Sequence, residues 1–330
     1  MSDFERAWQW REQRGLFRES QAIRVFHGPG EAVSGPPQMR GIMLDRYVDH
    51  YWVSFRSQEK EGDSLPESMV PPLLDFLRSK KARSCVCVER VKGGAAPQKL
   101  RVLLGDPSSE PFQVSENEMR FWIRSANTFH PGLFLDHAPL RTWLSKRARG
   151  WRVLNTFAYT GSLSVACGVG GATQVVTLDL SKATLNWAQS NWQLNGLTDS
   201  AGSFVAADAM EWLPRAAKRG ETFDCVILDP PSFSRAKSGM FSTAKDLEDL
   251  HAKAMAVVAK GGVLITSINS ANVTQLKYAS DVLHAAKKRG MQFEVLSEIG
   301  LPETFPTSLE DLARARTDRY LKGWILRRAS

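Results

Sequence analysis

The sequence predicts two regions of different fold class, a smaller α+β domain followed by an α/β domain built on a parallel sheet. The length of 330 residues exceeds what a single apolar core usually holds. Short alternating segments dominate up to about residue 128, and apolar strand-like runs alternate with helical segments after it. That alternation is typical of a parallel sheet covered by helices on both faces. We expect an N-terminal helix over 1–20, a small domain over 21–128 and a larger domain over 129–330.

The first region combines one capped helix pattern with several antiparallel strand patterns. Residues 1–20 are polar apart from a few aromatic side chains, which predicts a surface helix. Between residues 22 and 57, apolar and polar residues alternate on either side of the loop-forming "GPGEAVSGPPQMRG". A helix is predicted over 65–82, and strands are predicted in "SCVCVERV", "KLRVLLGD" and "MRFWIRSA".

The second region has a regular alternation of strands and helices. A helix over 136–148 precedes a first strand over 151–157, and near-continuous apolar runs predict the strands that follow. The further strands are expected over 173–180, 203–208, 224–229, 262–269 and 293–300, with helices over 162–168, 181–195, 209–218, 243–259 and 274–289.

Composition limits the class of protein and suggests a class of partner. Hydrophobic residues make up 43% and charged residues 24% of the chain, as in ordinary globular proteins. With no membrane-spanning run and no signal peptide in the sequence, we expect a cytoplasmic protein that does not enter the membrane. The four cysteines are read as buried thiols, and no metal site is expected. The net charge of +8 indicates a polyanion such as nucleic acid as partner.

Residues capable of binding a ligand follow four consecutive predicted strands of the second region. The carboxyl ends of parallel strands meet at one edge of a sheet, where ligands of such sheets bind. A glycine there lets the backbone approach a ligand, and the next helix offers amide donors. The residues concerned are Tyr159, Thr160 and Gly161 after the first strand, Asp179 after the second, Asp208 and Ala209 after the third, and Asp229, Pro230 and Pro231 after the fourth.

Each of these residues also has a structural explanation. Gly161 fits a tight turn and Asp208 fits a helix N-cap, whereas Ser181 is a more natural cap than Asp179. Their joint order indicates an adenosyl site in which Asp179 accepts from ribose hydroxyls and Asp208 from an adenine amino group.

The three carboxylates also indicate which cofactor carries the adenosyl group. They repel phosphates, and the chain has neither a G-x-x-x-x-G-K-[ST] loop nor a G-x-G-x-x-G fingerprint at the first turn. A cationic, hydroxyl-rich cofactor suits them. S-adenosyl-L-methionine therefore fits better than NAD.

The segment "VLNTFAYTGSLSVACGVGGATQVVTLDLSKATLNWAQSNWQLNGL" closely resembles the first two motifs of class I S-adenosylmethionine-dependent methyltransferases. Over most of the chain, "AIRVFHGPG", "HPGLFLDHAPLRTWL", "DPPSFSR", "KGGVLITSINSANV", "LPETFP" and "YLKGWIL" follow the order seen in the RlmI/RlmK-type enzymes. That family methylates bases of large-subunit (23S) ribosomal RNA. The resemblance implies an α/β fold with a Rossmann-like class I methyltransferase sheet and a smaller N-terminal α+β domain for RNA or substrate binding.

The resemblance also implies positions around the cofactor and the incoming base. Asp229 would lie near the methyl group and the base, Pro230 and Pro231 would shape the pocket, and Phe233 would either stack on the flipped base or pack beneath the loop. The implied cofactor positions are Asn155, Phe157, Thr160 and Gly161 on the methionine side, Asp179, Leu180 and Ser181 at the ribose and adenosine, Asp208 and Ala209 at the adenine, and Phe134 and Asp136 from the preceding segment.

Two departures from the family narrow the expected chemistry. Members that form 5-methylcytosine begin with a PUA domain, for which residues 1–20 are expected to leave no room, and carry a nucleophilic cysteine after the fifth strand. Here that segment reads "TSINSANV", with Ser267 and Asn269. Carbon 5 of cytosine becomes nucleophilic only after a thiolate adds to the neighbouring carbon, so serine is a poor substitute. We predict direct transfer to guanine N7 or to an amine nitrogen.

Two other functions stay open from the sequence. One is a methyltransferase of the same fold that acts on a small molecule or a protein, because fold does not fix substrate. The other is a non-catalytic RNA-binding or ribosome-assembly protein. The set of strand-end residues and the basic charge favour the ribosomal RNA enzyme. A homodimer is allowed, although no sequence feature selects it.

Overall fold

The structure is a computed structural model that describes residues 1–32, 35–56, 64–89, 99–126, 128–236, 239–270, 273–307 and 321–329. Two compact units make up the chain. The first comprises Met1–Asp136 with Pro302–Ala313, and the second comprises His137–Leu301 with Arg314–Ser330.

The first unit has a five-stranded sheet in the order β1-β2-β3-β4-β5, in which only the β3–β4 pair is parallel. A separate hairpin is formed by β6 and β7. The helices are α1 (Asp3–Gln13), α2 (Leu16–Glu19), α3 (Gly28–Glu31) and α4 (Val70–Ser79), and the strands are β1 (Ala22–His27), β2 (Ile42–Tyr47), β3 (His50–Phe55), β4 (Ser84–Glu89), β5 (Lys99–Gly105), β6 (Phe112–Glu116) and β7 (Met119–Ile123); 3-10 helices lie at Pro37–Gly41, Glu67–Met69 and Leu135–His137.

The core of this unit lies between the sheet and the helices α1 and α4. The rings of Phe4 on α1, Phe26 on β1 and Phe76 on α4 meet there, with the centroid of Phe4 4.7 Å from that of Phe26 and 5.4 Å from that of Phe76. All three side chains are buried. Aromatic pairs at these distances add to the apolar area they bury, so they fix both helices on one face of the sheet.

The second unit contains a seven-stranded sheet in the order β10-β9-β8-β11-β14-β16-β15. The elements are α5 (Ala138–Ser145), β8 (Arg152–Thr156), α6 (Ser162–Val169), β9 (Gln174–Asp179), α7 (Lys182–Leu194), β10 (Gly202–Ala206), α8 (Ala209–Lys218), β11 (Phe223–Leu228), β12 (Phe233–Ala236), β13 (Gly239–Ser242), α9 (Thr243–Met255), β14 (Val258–Ile268), α10 (Gln275–Arg289), β15 (Phe293–Glu298) and β16 (Lys322–Arg328). Strands β8 to β11 and β14 are parallel, and β16 is antiparallel to both of its neighbours. The predicted α/β fold is therefore confirmed.

Helices cover both faces of this sheet, which explains the near-continuous apolar strands. Alternate strand residues such as Leu154, Val226 and Leu264 pack with α8, α9 and α10 in one buried cluster. On the other face, α6 contacts β8 and β9, and α5, α6 and α7 contact one another in series.

Three local expectations differ from the structure. The helix predicted over 1–20 is interrupted at Gly15, whose φ of 71° is left-handed and ends a right-handed helix. The basic, polar segment "SRAKSGMFSTAKD" (234–246) predicts a loop, but β12 and β13 pair as antiparallel strands there before α9 begins. Strand β16 was not predicted as a strand, because Lys322 and Gly323 interrupt its apolar pattern.

No helix in the described ranges is long and apolar enough to cross a bilayer.

A buried polar cluster lies on one face of strand β14 and contains the ring of His251. The ring of His251 contacts the Leu247 carbonyl through Nδ1 at 2.7 Å, so Nδ1 carries the proton, and Nε2 accepts from Thr266 Oγ1 at 2.7 Å. Thr266 Oγ1 in turn lies 2.6 Å from the hydroxyl of Tyr278. Burial lowers the pKa of His251 from 6.5 to about 4. The neutral ring therefore belongs to the folded state.

We expect acid to remove the contribution that the neutral ring makes to stability. Because the folded pKa is lower than the unfolded one, the contribution is complete above pH 6.5 and is lost as the pH falls towards 4. Between pH 7 and pH 5 the loss amounts to about 2 kcal/mol for this one group. The check is urea unfolding at both pH values for the wild type and for His251→Gln, which cannot titrate. An equal loss in both proteins would contradict this assignment.

Candidate active site

Strand register brings three predicted site residues of the second unit into one row with Ser267. In consecutive strand pairs, Leu178 of β9 lies opposite Thr156 of β8, Thr156 opposite Leu228 of β11, and Leu228 opposite Thr266 of β14. The next residue of each strand is therefore at the same edge of the sheet. These residues are Asp179, Phe157, Asp229 and Ser267.

The turn between β8 and α6 has an unusual backbone at the middle of this edge. Phe157, Tyr159 and Gly161 have φ values of 54°, 51° and 73°, all in the left-handed region. Two of the three carry side chains, and such conformations persist where the surrounding structure enforces them, often at ligand sites. The carbonyl of the buried Thr160 accepts from Asn191 Nδ2 at 2.9 Å. This turn is thus held in a strained form from the side of α7.

Gly161 is required by space as well as by conformation. A Cβ atom at this position would lie 2.8 Å from the Cβ of Ala188 on α7. Gly196 has a similar φ of 68° but open space around it. The two positions therefore separate the cost of the backbone conformation from the cost of the close approach.

We expect Gly161→Ala to destabilise the protein more than Gly196→Ala does. The left-handed conformation costs about 1 kcal/mol at both positions. The contact with Ala188 adds about 1–3 kcal/mol at Gly161 only, as for other overpacked sites. We also expect affinity for the cofactor to fall at least about tenfold in Gly161→Ala alone, because the turn must move. Thermal unfolding and titration calorimetry measure both quantities, and equal effects in the two variants would contradict the close-approach argument.

Asp179 binds the backbone on both sides of the site edge. Its Oδ2 accepts from the amide of Tyr159 at 2.9 Å, and its Oδ1 accepts from the amide of Ser181 at 2.9 Å. The carboxylate therefore connects the strained turn after β8 to the start of α7. Ser181 is the N-cap of α7, as predicted, and its Oγ accepts from the amide of Thr184. Leu180 between them is 46% exposed, so the strand end is open to solvent.

Asp208 begins the next helix. Its Oδ1 accepts from the amide of Met210 at 2.9 Å, which makes it the N-cap of α8. Ala209 is the first residue of that helix and is buried. Asp208 is therefore a helix N-cap, one of the two roles predicted for it. Contact of Asp208 and Ala209 with an adenine stays a prediction.

Asn155 lies within strand β8 in a buried polar group. Its Nδ2 donates to Ser164 Oγ at 2.9 Å, and Thr177 Oγ1 donates to the same oxygen at 2.8 Å. The Oδ1 atom of Asn155 is buried and has no hydrogen-bond partner among the described residues. An unpaired buried acceptor is costly, so a donor from a bound ligand would stabilise it.

Asp229 lies in a cluster that the sequence only partly indicated. Its Oδ1 accepts from Ser267 Oγ at 2.7 Å, and His137 Nε2 lies 3.6 Å from the same oxygen and 3.3 Å from Ser267 Oγ. His137 and Ser267 are buried, whereas 27% of the Asp229 side chain is exposed. His137 was not predicted, although it lies in the segment "HPGLFLDHAPLRTWL".

The other predicted residues are described less completely. Pro230 and Pro231 follow β11, as expected, and Pro230 is buried. Phe233 begins β12, but its side chain lies outside the described part of the structure, as does Lys237 in the predicted basic loop. Phe134 and Asp136 belong to the first unit, where Asp136 is buried and the ring centroid of Phe134 lies 3.9 Å from that of His130. Their contact with the cofactor stays a prediction.

The residues of the second unit fit S-adenosylmethionine by their chemistry. The carboxylates of Asp179 and Asp229 suit hydroxyl donors and a cation, and the unpaired Oδ1 of Asn155 suits a donor such as an ammonium group. The left-handed turn at Gly161 is followed directly by α6, whose first amides face the same edge.

Comparison with known proteins identifies the family. Residues 77–306, more than half of the chain, match the family described as S-adenosylmethionine-dependent methyltransferase. The chain is 31% identical over 291 residues to ribosomal RNA large subunit methyltransferase I of Aeromonas salmonicida, an alignment that covers 87% of this chain and 71% of that protein. It is 41% identical over 168 residues to ribosomal RNA large subunit methyltransferase K/L of Chromohalobacter salexigens, which covers 50% of this chain and 22% of that protein.

A solved structure supports the fold. A protein described as a methyltransferase, crystallised in complex with SAH, superimposes with a TM-score of 0.80 over 98% of this chain and 80% of its own, at 24% identity. That identity shows the fold alone, whereas the family match and the relative from Aeromonas salmonicida show the family. The strand-end carboxylates and the turn at Gly161 therefore lie in an enzyme that uses S-adenosylmethionine, and this chain belongs to the S-adenosylmethionine-dependent methyltransferases.

Proposed function

We propose that this methyltransferase modifies a base of 23S ribosomal RNA by direct transfer to a nitrogen atom. Two relatives that are named as ribosomal RNA large subunit methyltransferases support this substrate. The net charge of +8 supports it as well, because binding to a polyanion requires basic side chains near its phosphates.

The roles we propose within the site follow from the strand-end positions and from the family resemblance. Asp179 accepts from the ribose hydroxyls, Asp208 meets the adenine, and Asp229 faces the methyl group and the base. When bound, S-adenosylmethionine supplies an electrophilic methyl group on a cationic sulfur. The protein then has to hold the base and the methyl group in line, since a ring nitrogen or an oriented amine needs no covalent activation. Proposed partners of the cofactor beyond these carboxylates are Asn155, Phe157, Thr160 and Gly161 at its methionine part, Leu180, Ser181 and Ala209 at its adenosine part, and Phe134 and Asp136.

The burial and protonation of the cysteine thiols support methylation of a nitrogen atom over methylation of carbon 5 of cytosine. All four cysteines of the chain are buried. In the second unit, burial raises the pKa of both the Cys167 and the Cys225 thiols. Cys225 lies inside strand β11, where it packs in the core. A protonated, inaccessible thiol cannot add to a base, so none of these residues supports a cysteine adduct.

Ser267 does not replace the missing thiolate. It is fully buried, and its hydroxyl donates to Asp229. A serine hydroxyl is a weak nucleophile without a strong base, and a carboxylate accepting its hydrogen bond is a weak base at neutral pH. This supports direct transfer, to guanine N7 or to an exocyclic amine.

Methyl transfer to defined RNAs tests the proposal. The purified protein is incubated with S-adenosylmethionine that carries a radioactive methyl group, together with unmodified 23S ribosomal RNA, 16S ribosomal RNA or transfer RNA. We expect label in 23S ribosomal RNA only, with no RNA retained on the protein in a denaturing gel. Transfer to a small molecule or protein of a cell extract but not to RNA would contradict the substrate. A covalent protein–RNA band would contradict the mechanism.

A further inference from the structure

The cluster of His137, Ser267 and Asp229 combines two buried side chains with one that is accessible. His137 precedes α5 as its N-cap residue, and Ser267 lies near the end of β14. Asp229 follows β11, and strand register places it beside Ser267 because Leu228 lies opposite Thr266. Three separate elements of the second unit thus converge on one carboxylate.

The distances within this cluster indicate that the buried side chains orient the Asp229 carboxylate. Ser267 Oγ and His137 Nε2 approach the same oxygen of Asp229, at 2.7 Å and 3.6 Å, and approach each other at 3.3 Å. The hydrogen bond from Ser267 restricts rotation of the carboxylate about its side-chain torsions, and His137, which lies within hydrogen-bond distance of Ser267 Oγ, holds that hydroxyl in place. The exposed 27% of the Asp229 side chain keeps the carboxylate within reach of a ligand.

We propose that Ser267 and His137 are positioning residues that fix the Asp229 carboxylate opposite the positive charge that reaches the base during methyl transfer. This inference rests on the proposed function. The lone pair of the base nitrogen forms the new bond to the methyl carbon, the electron pair of the broken carbon–sulfur bond stays on sulfur, and the positive charge passes to the base. An amine then releases its proton to solvent, whereas guanine N7 keeps the charge.

A carboxylate fixed in advance stabilises this charge better than a freely rotating one. The benefit of an electrostatic group in an active site depends on its being oriented before the reaction, so that no reorganisation is needed.

The test combines turnover with a binding measurement that needs no RNA. The variants are Ser267→Ala and His137→Leu, with His137→Gln as the conservative change that retains a donor near Nε2. Thr266→Val is the matched control, since it removes a buried hydroxyl from the same strand on the opposite face, where Thr266 contacts His251 and Tyr278. Binding is compared between S-adenosylhomocysteine and sinefungin, the analogue in which a carbon bearing an ammonium group replaces the methylated sulfur.

We expect kcat on 23S ribosomal RNA to fall about 10- to 100-fold in Ser267→Ala and about tenfold in His137→Leu, with KM for RNA within about threefold of wild type. His137→Gln should retain most of the activity. The preference for sinefungin over S-adenosylhomocysteine should fall about 3- to 10-fold in Ser267→Ala and His137→Leu, and should be unchanged in Thr266→Val.

The two readouts separate failure of this inference from failure of the proposed function. A wild-type enzyme that methylates 23S ribosomal RNA, with unchanged kcat and unchanged analogue preference in Ser267→Ala and His137→Leu, would overturn the positioning role. A wild-type enzyme that does not methylate this RNA, with the analogue preference lost in the same variants, would overturn the substrate and support the positioning role.

Discussion

Asp179→Ala is expected to weaken binding of S-adenosylmethionine by about 100-fold or more. A carboxylate that accepts from two ribose hydroxyls contributes about 1.5 kcal/mol or more for each charged hydrogen bond. The same carboxylate accepts from the amides of Tyr159 and Ser181, so its removal also releases the left-handed turn between β8 and α6. Titration calorimetry of the purified variant with the cofactor measures this loss directly.

Two variants show whether the carboxylate itself is responsible. Thr274→Ala removes the N-cap of α10, at a cost of about 1 kcal/mol in stability, but leaves Asp179 and the rest of the proposed site in place. We expect its affinity for the cofactor to stay within about threefold of wild type. Asp179→Asn retains the shape of the side chain and one acceptor oxygen. Its affinity for the cofactor should lie between that of Asp179→Ala and that of the control variant. Wild-type affinity in Asp179→Ala would contradict the assignment of Asp179 to the ribose.

Arg11→Met is expected to lower the free energy of unfolding of the first unit by about 3–5 kcal/mol, as for a broken buried ion pair. The guanidinium of Arg11 is fully buried, and all five of its N–H groups donate. Three of the acceptors are carbonyls, of Ala7, Arg24 and Thr304, and the other two are the oxygens of Glu31 at 2.7 and 3.0 Å. Removal of the guanidinium leaves a mostly buried carboxylate and three carbonyls without these donors.

The neighbouring Arg14 is the matched control for this prediction. Its side chain is half exposed, and its Nε lies 3.7 Å from Glu303, so Arg14→Met should cost less than about 1 kcal/mol. The double variant Arg11→Met with Glu31→Met should recover part of the loss, since it leaves no unpaired charge. Urea unfolding followed by tryptophan fluorescence reports these differences. Equal stability of the Arg11 and Arg14 variants would contradict the role of Arg11.

Periodicity made the parallel sheet predictable, because buried strands such as β8, β9 and β11 are apolar on both faces and alternate with amphipathic helices. The interruption at Gly15 and strand β16 were not predictable in this way. Strand β16 takes its place between β14 and β15, more than 20 residues away in sequence, through backbone pairing that local pattern does not encode. The bond from Arg11 to Thr304 likewise joins positions 293 residues apart.

The strand-end carboxylates were predictable because parallel register places them at one edge, and Asp179, Asp229 and the turn at Gly161 lie there. The role of His137 was not predictable, since a single histidine before a helix forms no recognisable sequence pattern. Its distance from Asp229 depends on how α5 packs. The left-handed φ values of Phe157 and Tyr159 also could not be predicted from the sequence, because neither residue type favours that conformation.

The most direct test of the central claim is the identity of the methylated nucleoside. Unmodified 23S ribosomal RNA is incubated with the protein and S-adenosylmethionine bearing a trideuterated methyl group, digested to nucleosides and analysed by mass spectrometry. Direct transfer at this site predicts a trideuterated methyl group on a nitrogen, as in 7-methylguanosine or an N-methylated amine. A trideuterated 5-methylcytidine, or no labelled nucleoside at all, would contradict it.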